Sequence, residues 1–172
     1  MNGASAPERH LVLVGLMGTG KSTVGRAVAE RLGRSFVDTD IEIERRSGRS
    51  VRELFGDEGE AGFRDRETEV LLDLLGGDEP LVIACGGGIV LRDVNRTALR
   101  GCRARIVWLA ADPSVLVERV RGAGHRPALD DDPEGTLRRM AEDRESLYRE
   151  VAHAIVRTDG RGLHEVVEAV LR

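Results

Sequence analysis

The chain has 172 residues and a mass of 18.8 kDa, the length of one ordinary domain, with 41% hydrophobic and 33% charged residues. It has no run of about 18 apolar residues for a membrane span, a net charge of −4 that argues against a general polyanion binder, and only 3% aromatic residues for stacking on bases. Two cysteines, Cys85 and Cys102, are too few for a disulfide scaffold and fit a reducing cytosol, and the opening MNGASAPERH lacks the apolar stretch of a secretory signal.

Residues 1–9 read as a polar tail. HLVLV at His10–Val14 is a buried-strand candidate, and Lys21–Leu32 a helix with Val24, Val28 and Leu32 on one face, stopped by Gly33. A second short strand is expected at 35–37. Helices are expected at 40–46, at 51–55 behind a Ser50/Glu53 capping box, and at 60–75. The third strand, 81–85, runs into three glycines. Asp93 is placed to cap a helix to Arg100, and 106–110 is a fourth strand. Asp112-Pro113 opens a helix to about Arg121, while 122–132 has no apolar period and reads as a mobile loop. A long helix from Asp132-Pro133, a fifth strand at 154–157 and a closing helix at 162–171 complete the chain, the last with Leu163, Val166, Val167 and Val170 inward. The strands are continuous apolar runs separated by helices, which predicts one α/β domain whose five-stranded parallel sheet is covered on both faces.

Gly15-Leu16-Met17-Gly18-Thr19-Gly20-Lys21-Ser22 fits G-x-x-x-x-G-K-[ST] between a predicted strand and a predicted helix. Glycines let successive N–H groups turn toward one phosphate, the helix N-terminus adds positive potential, Lys21 reaches the β- and γ-phosphates and the Ser22 hydroxyl suits Mg²⁺. The motif predicts a nucleoside-triphosphate site in a three-layer, P-loop NTPase-type fold. Arginine makes up 25 of the 26 basic residues, and Lys21 is the sole lysine. Genomic composition bias accounts for the general preference. A compact ammonium is what the one exception supplies.

Other positions narrow the acceptor. Asp38 and Asp40 end the second strand at the carboxyl edge of the sheet, where ligands bind in such folds, and they share a face. One suits a metal and the other a hydroxyl proton, although an acidic turn with a helix cap gives the same letters. Gly86, Gly87 and Gly88 allow close approach to bare backbone, or form a plain turn. On the long helix Leu137, Met140, Leu147 and Val151 define an inward stripe that Arg144 interrupts, with Tyr148 beside it. Phe63, Val70 and Leu74 define another, completed by Glu67, with Arg64 a turn earlier. An inward arginine needs a partner, which a bound carboxylate or phosphate would supply; snorkelling and a simple Arg64–Glu67 pair are the alternatives. Arg126, in the glycine-flanked loop 122–132, is placed to close over phosphates or to lie on an ordinary surface loop. Cys85 reads as a buried strand thiol and Trp108 as core.

Taken in order, the phosphate loop, D-T-D (38–40), F-R (63–64), G-G-G (86–88), R-P (126–127) and R-x-x-L-Y (144–148) resemble the shikimate kinase family over nearly the whole chain, the stretch GDEGEAGFRDRE at 56–67 especially. The resemblance implies transfer of the ATP γ-phosphate to the 3-hydroxyl of shikimate, with Mg²⁺, in chorismate and aromatic amino acid formation. It places Asp40 at the ring hydroxyls, orienting or deprotonating the nucleophile, and Arg64 and Arg144 on the carboxylate. Gly86, Gly87 and Gly88 would line the pocket, Asp38 and Ser22 would hold Mg²⁺, and Arg126 would be the lid arginine. Gly18, Thr19, Gly20, Lys21, Ser22 and Thr23 would bind phosphate, with Arg119 and Arg161 beside adenine. Glu67 then fixes Arg64. It further implies one kinase domain over 1–172, with a substrate-binding region at 38–67 and a lid at 122–132, acting as a cytoplasmic monomer without nucleic-acid or membrane partners. The chain departs from the family in having Leu163 where a proline is frequent.

Overall fold

The computed structural model describes residues 10–121 and 131–172. The tail at 1–9 and most of the expected lid, Arg126 included, lie outside these residues.

Five strands, β1 (His10–Val14), β2 (Ser35–Asp38), β3 (Leu81–Ala84), β4 (Ala104–Ala110) and β5 (Ala154–Arg157), pair in parallel in the order β2-β3-β1-β4-β5. Seven α-helices are described: α1 (Lys21–Leu32), α2 (Thr39–Ser47), α3 (Val51–Gly76), α4 (Asp93–Gly101), α5 (Pro113–Arg121), α6 (Pro133–Val151) and α7 (Leu163–Leu171). Alternation along the strands divides the core. Val12, Val14, Ile83 and Ile106 pack with Leu71, Leu99, Leu137 and Tyr148 of the helices on one face. Leu11, Leu13, Val82 and Val107 pack with Val24, Val28, Val166 and Val170 on the other. Both faces are therefore buried, which is why the strands read as unbroken apolar runs. β1 is flanked by β3 and β4, so the connections on its two sides diverge and leave a crevice at its carboxyl end. No helix among the described residues is long and apolar enough to cross a membrane.

Local signals hold in most places. Gly33 ends α1 at φ 62°, and the Ser50/Glu53 capping box opens α3. The two helices expected at 51–55 and 60–75 are both present within α3, joined at Gly59, whose φ of 68° and ψ of −177° are non-helical. Three details differ. Arg92, not Asp93, occupies the cap of α4; Asp93 sits inside the first turn, where its carboxylate accepts from Arg96. Leu163 is 47% exposed, because it is the first residue of α7 at the sheet edge, a turn before the buried stripe begins. Trp108 is only half-buried: it packs against the core cluster and stacks on Tyr148 of α6, with Arg149 over its ring, but is not fully covered.

Candidate active site

The phosphate loop bends where glycine permits it. Gly15, Gly18 and Gly20 have φ of 144°, 83° and 91°, and a Cβ on Gly15 would run into the Leu109 carbonyl. Lys21 opens α1 and donates to the Leu16 carbonyl at 2.8 Å. Thr19 is buried and turns its hydroxyl onto the same carbonyl, also at 2.8 Å, so its side chain braces the loop from inside. Thr23 is exposed one residue past Ser22.

Ser22 donates to Asp38 Oδ2 at 2.5 Å, joining the first turn of α1 to the end of β2. Asp38 is also the N-cap of α2, its Oδ1 accepting from the amides of Asp40 (3.0 Å) and Ile41 (3.3 Å). The cap and the possible ligand are thus one carboxylate used through two oxygens. A hydroxyl and a carboxylate side by side are hard oxygen donors of the kind Mg²⁺ takes. Among the described residues no cluster of three or more His, Cys, Asp or Glu could hold a metal. Few protein ligands, with phosphate and water completing the shell, is the usual arrangement for Mg²⁺ in phosphoryl transfer.

The middle residue of D-T-D has its own task. Thr39 is fully buried, and its Oγ1 accepts from the Gly86 amide at 2.9 Å, pinning α2 to the glycine run after β3. Asp40 faces that run: a Cβ on Gly86 would lie 2.8 Å from Asp40 Oδ1 and 2.7 Å from Glu67 Oε1. At Gly88 a Cβ would collide with the Arg64 guanidinium, and at Gly87 it would come within 3.6 Å of Arg144 Nη1. Both inward arginines therefore converge on the glycines. Tyr148 closes the group by donating to the Gly87 carbonyl at 2.5 Å, and its hydroxyl is bonded to Arg144. Bare backbone is required here, so Gly86→Ala and Gly88→Ala are each expected to raise the KM for the acceptor by about 5- to 150-fold, from roughly 1–3 kcal/mol of overpacking. Gly101→Ala is the control, since a methyl there meets nothing within 4 Å. Steady-state kinetics on the three variants checks this.

Arg64 is 12% exposed and pairs with Glu67 Oε2 at 2.7 Å and with Glu60 at 3.4 Å. The simple i,i+3 pair is real, and it holds the guanidinium in place rather than occupying it fully. Arg64 Nε is buried and has no acceptor among the described residues, so a donor is left for an incoming anion. Glu67 is 1% exposed, and burial pushes its carboxyl above the ordinary range, only partly opposed by Arg64 and Arg144. The folded state thus binds this proton more tightly than the unfolded chain. Its contribution to stability is complete below the ordinary carboxylate range and is lost as pH rises through the elevated value. Urea midpoints should show this decline with rising pH in the parent and a flatter profile in Glu67→Gln. Tyr148 is pushed up to about 12 by burial and stays a donor. Burial likewise raises the Cys85 thiol, which lies in the core at the end of β3 as expected.

On the other side of the phosphate loop, Arg119 donates to the Gly18 carbonyl (3.2 Å), to Thr158 Oγ1 (2.9 Å) and to the Thr158 carbonyl (3.1 Å). Arg161 is exposed in the loop before α7, its backbone amide on the Thr158 carbonyl at 3.4 Å. Thr39, Thr158 and the Tyr148–Gly87 bond had no assigned role from sequence. A threonine between two aspartates was the one signal available.

Residues 17–172 match the family model for shikimate kinase. The chain belongs to the shikimate kinase family. A curated shikimate kinase of Symbiobacterium thermophilum is 50% identical over 165 residues, 94% of either chain. That of Burkholderia lata is 47% identical over 169 residues, 98% of this chain and 91% of the relative. The solved shikimate kinase of Acinetobacter baumannii, in complex with shikimate, is 40% identical with a TM-score of 0.90 over 97% of this chain and 92% of that one. Shikimate kinase membership makes the chain a kinase, and the parallel sheet with flanking helices is that of its structural relatives.

Proposed function

We propose that the chain transfers the γ-phosphate of ATP to the 3-hydroxyl of shikimate, giving 3-phosphoshikimate and ADP, as one cytoplasmic, monomeric kinase domain over residues 1–172 without nucleic-acid or membrane partners. The observation that supports this best is the convergence of Arg64 and Arg144 on Gly86, Gly87 and Gly88 beside Asp40. A small hydroxylated carboxylic acid answers both features: its carboxylate takes the guanidinium donors, and its ring hydroxyls lie toward Asp40.

In this reading Lys21 leaves the Leu16 carbonyl for the β- and γ-phosphates, cradled by the amides of Gly18, Thr19, Gly20, Lys21, Ser22 and Thr23. Ser22 and Asp38 would hold Mg²⁺, which when bound offsets phosphate charge. Arg119, already fixed between Gly18 and Thr158, packs beside adenine with Arg161 nearby. Asp40 orients the 3-hydroxyl and receives its proton as the oxygen bonds to the γ-phosphorus. The bond from phosphorus to the β,γ-bridging oxygen breaks, and ADP leaves with that electron pair. Arg126, with the rest of the lid at 122–132, balances charge on the transferring group and excludes water. Positioning and preorganised charge supply most of the acceleration.

Coupled ADP-release assays with shikimate, gluconate and AMP as separate acceptors test the assignment. Turnover with shikimate alone is expected. Turnover with gluconate or AMP in its place would make the chain another small-metabolite kinase of the same architecture. ATP binding without any turnover would make it a nucleotide-binding module.

A further inference from the structure

Tyr148 is the chain's only tyrosine and, among the described residues, the largest fully buried side chain. Its ring stacks on Trp108 of β4, with centroids 5.6 Å apart and planes inclined by 26°. Trp108 is in register with Val14, the residue that leads into the phosphate loop. The hydroxyl is thus carried on a packed platform against the sheet. It extends from there to the glycine run, donating to the Gly87 carbonyl at 2.5 Å. One turn earlier on α6, Arg144 is bonded to the same phenolic oxygen.

The polarity of these two bonds is forced. A guanidinium only donates and a carbonyl only accepts, so the hydroxyl takes a hydrogen from Arg144 and gives its own to Gly87. The two inward arginines are therefore held by different chemistry. Arg64 is held by the carboxylate of Glu67 at 2.7 Å. Among the described residues no carboxylate pairs with Arg144, and what holds it is a neutral phenol that burial keeps protonated. A carboxylate in that place would orient the guanidinium but would also cancel its charge and compete with an incoming anion. A neutral oxygen fixes the geometry and leaves the charge to the ligand.

We infer that Tyr148 is a positioning residue for the acceptor: its hydroxyl sets the orientation of Arg144 against the Gly87 carbonyl, and so the affinity of the site for the acceptor's carboxylate. The inference rests on shikimate as the proposed acceptor and adds how one half of the clamp is held in place.

Tyr148→Phe keeps the ring and its stack on Trp108 and removes one oxygen. It is expected to raise the KM for shikimate about 5- to 20-fold. The KM for ATP and kcat should change less than about twofold, a split that loosened packing would not give. In an Arg144→Ala background the same substitution should alter the KM for shikimate less than about twofold, since the oxygen then has no guanidinium to orient. An unchanged KM for shikimate, a parallel loss in kcat and in the KM for ATP, or the same fold-rise in both backgrounds overturns the inference. A second measurement keeps the hydroxyl. Ring-fluorinated tyrosine, incorporated biosynthetically, labels Tyr148 alone because the chain has no other tyrosine. Its fluorine resonance should move saturably with shikimate in the parent and far less, at saturation, in Arg144→Ala. A resonance that shikimate leaves in place, or moves equally in both proteins, overturns the inference as well. Turnover of shikimate by the parent tests the acceptor assignment separately, so the two can fail independently.

Discussion

Lys21→Met is expected to lower kcat by about three orders of magnitude or more, the scale set by losing one cation from a transferring phosphoryl group. Lys21 opens α1, so the ammonium stands at the same helix N-terminus toward which the loop amides turn, and nothing else on the chain presents a lysine. It is held at 2.8 Å on the Leu16 carbonyl, a neutral acceptor that it can exchange for phosphate oxygens at small cost. Lys21→Arg is expected not to restore the rate. A planar guanidinium is larger and forked, and the position beneath a loop braced by Thr19 accommodates a compact point charge. Single-turnover ADP formation, which separates chemistry from product release, is the measurement, and a methionine variant within tenfold of the parent would show that the loop lysine does not carry the phosphoryl charge.

The second large effect falls on the acceptor. Arg64→Ala and Arg144→Ala are each expected to raise the KM for shikimate by roughly 10- to 150-fold, from about 1.5–3 kcal/mol for a lost charged hydrogen bond, with a smaller change in kcat. The two variants should differ in stability. Removing Arg64 leaves Glu67 buried without its 2.7 Å partner, so Arg64→Ala should also lower Tm and draw Glu67 toward its protonated form. Arg144 is half-buried and bonded to the Tyr148 hydroxyl, which keeps the Gly87 carbonyl as a second partner, so Arg144→Ala should be nearly silent in Tm. Because both groups grip one carboxylate, the double variant should fall short of the summed effects. Wild-type KM and kcat in either single variant would contradict the clamp.

How much of this was legible beforehand follows from the range of the interactions involved. The fold was legible because the strands are buried on both faces and the helices are capped by local signals, such as Ser50 with Glu53 and Gly33 in the left-handed region. The phosphate loop was legible because its geometry is set by consecutive residues. Arg64, Glu67 and Arg144 showed themselves as polar residues at apolar stripe positions, a signal of local periodicity. Their convergence on residues 86–88 was not readable in that way, since it depends on α3, α6 and the end of β3 meeting in space. The bond from Thr39 to the Gly86 amide spans 47 residues and that from Arg119 to Thr158 spans 39, and no local pattern announces either. Leu163 was misplaced because an apolar residue at the start of an amphipathic helix satisfies the period whether or not a neighbour covers it. Trp108 does pack against the core, as its place in an apolar strand implies, but the strand pattern does not reveal that its cover is incomplete.

The most direct test of the central claim is discrimination between shikimate and its analogue with the carboxylate replaced by hydroxymethyl, measured as the ratio of kcat/KM in the parent and in Arg64→Ala/Arg144→Ala. A site whose buried donors are built for an anion should reject the neutral analogue by about 100-fold or more in the parent, and the ratio should fall to within a few-fold of unity in the double variant. An equal ratio in both proteins would mean that the two guanidinium groups do not read the carboxylate.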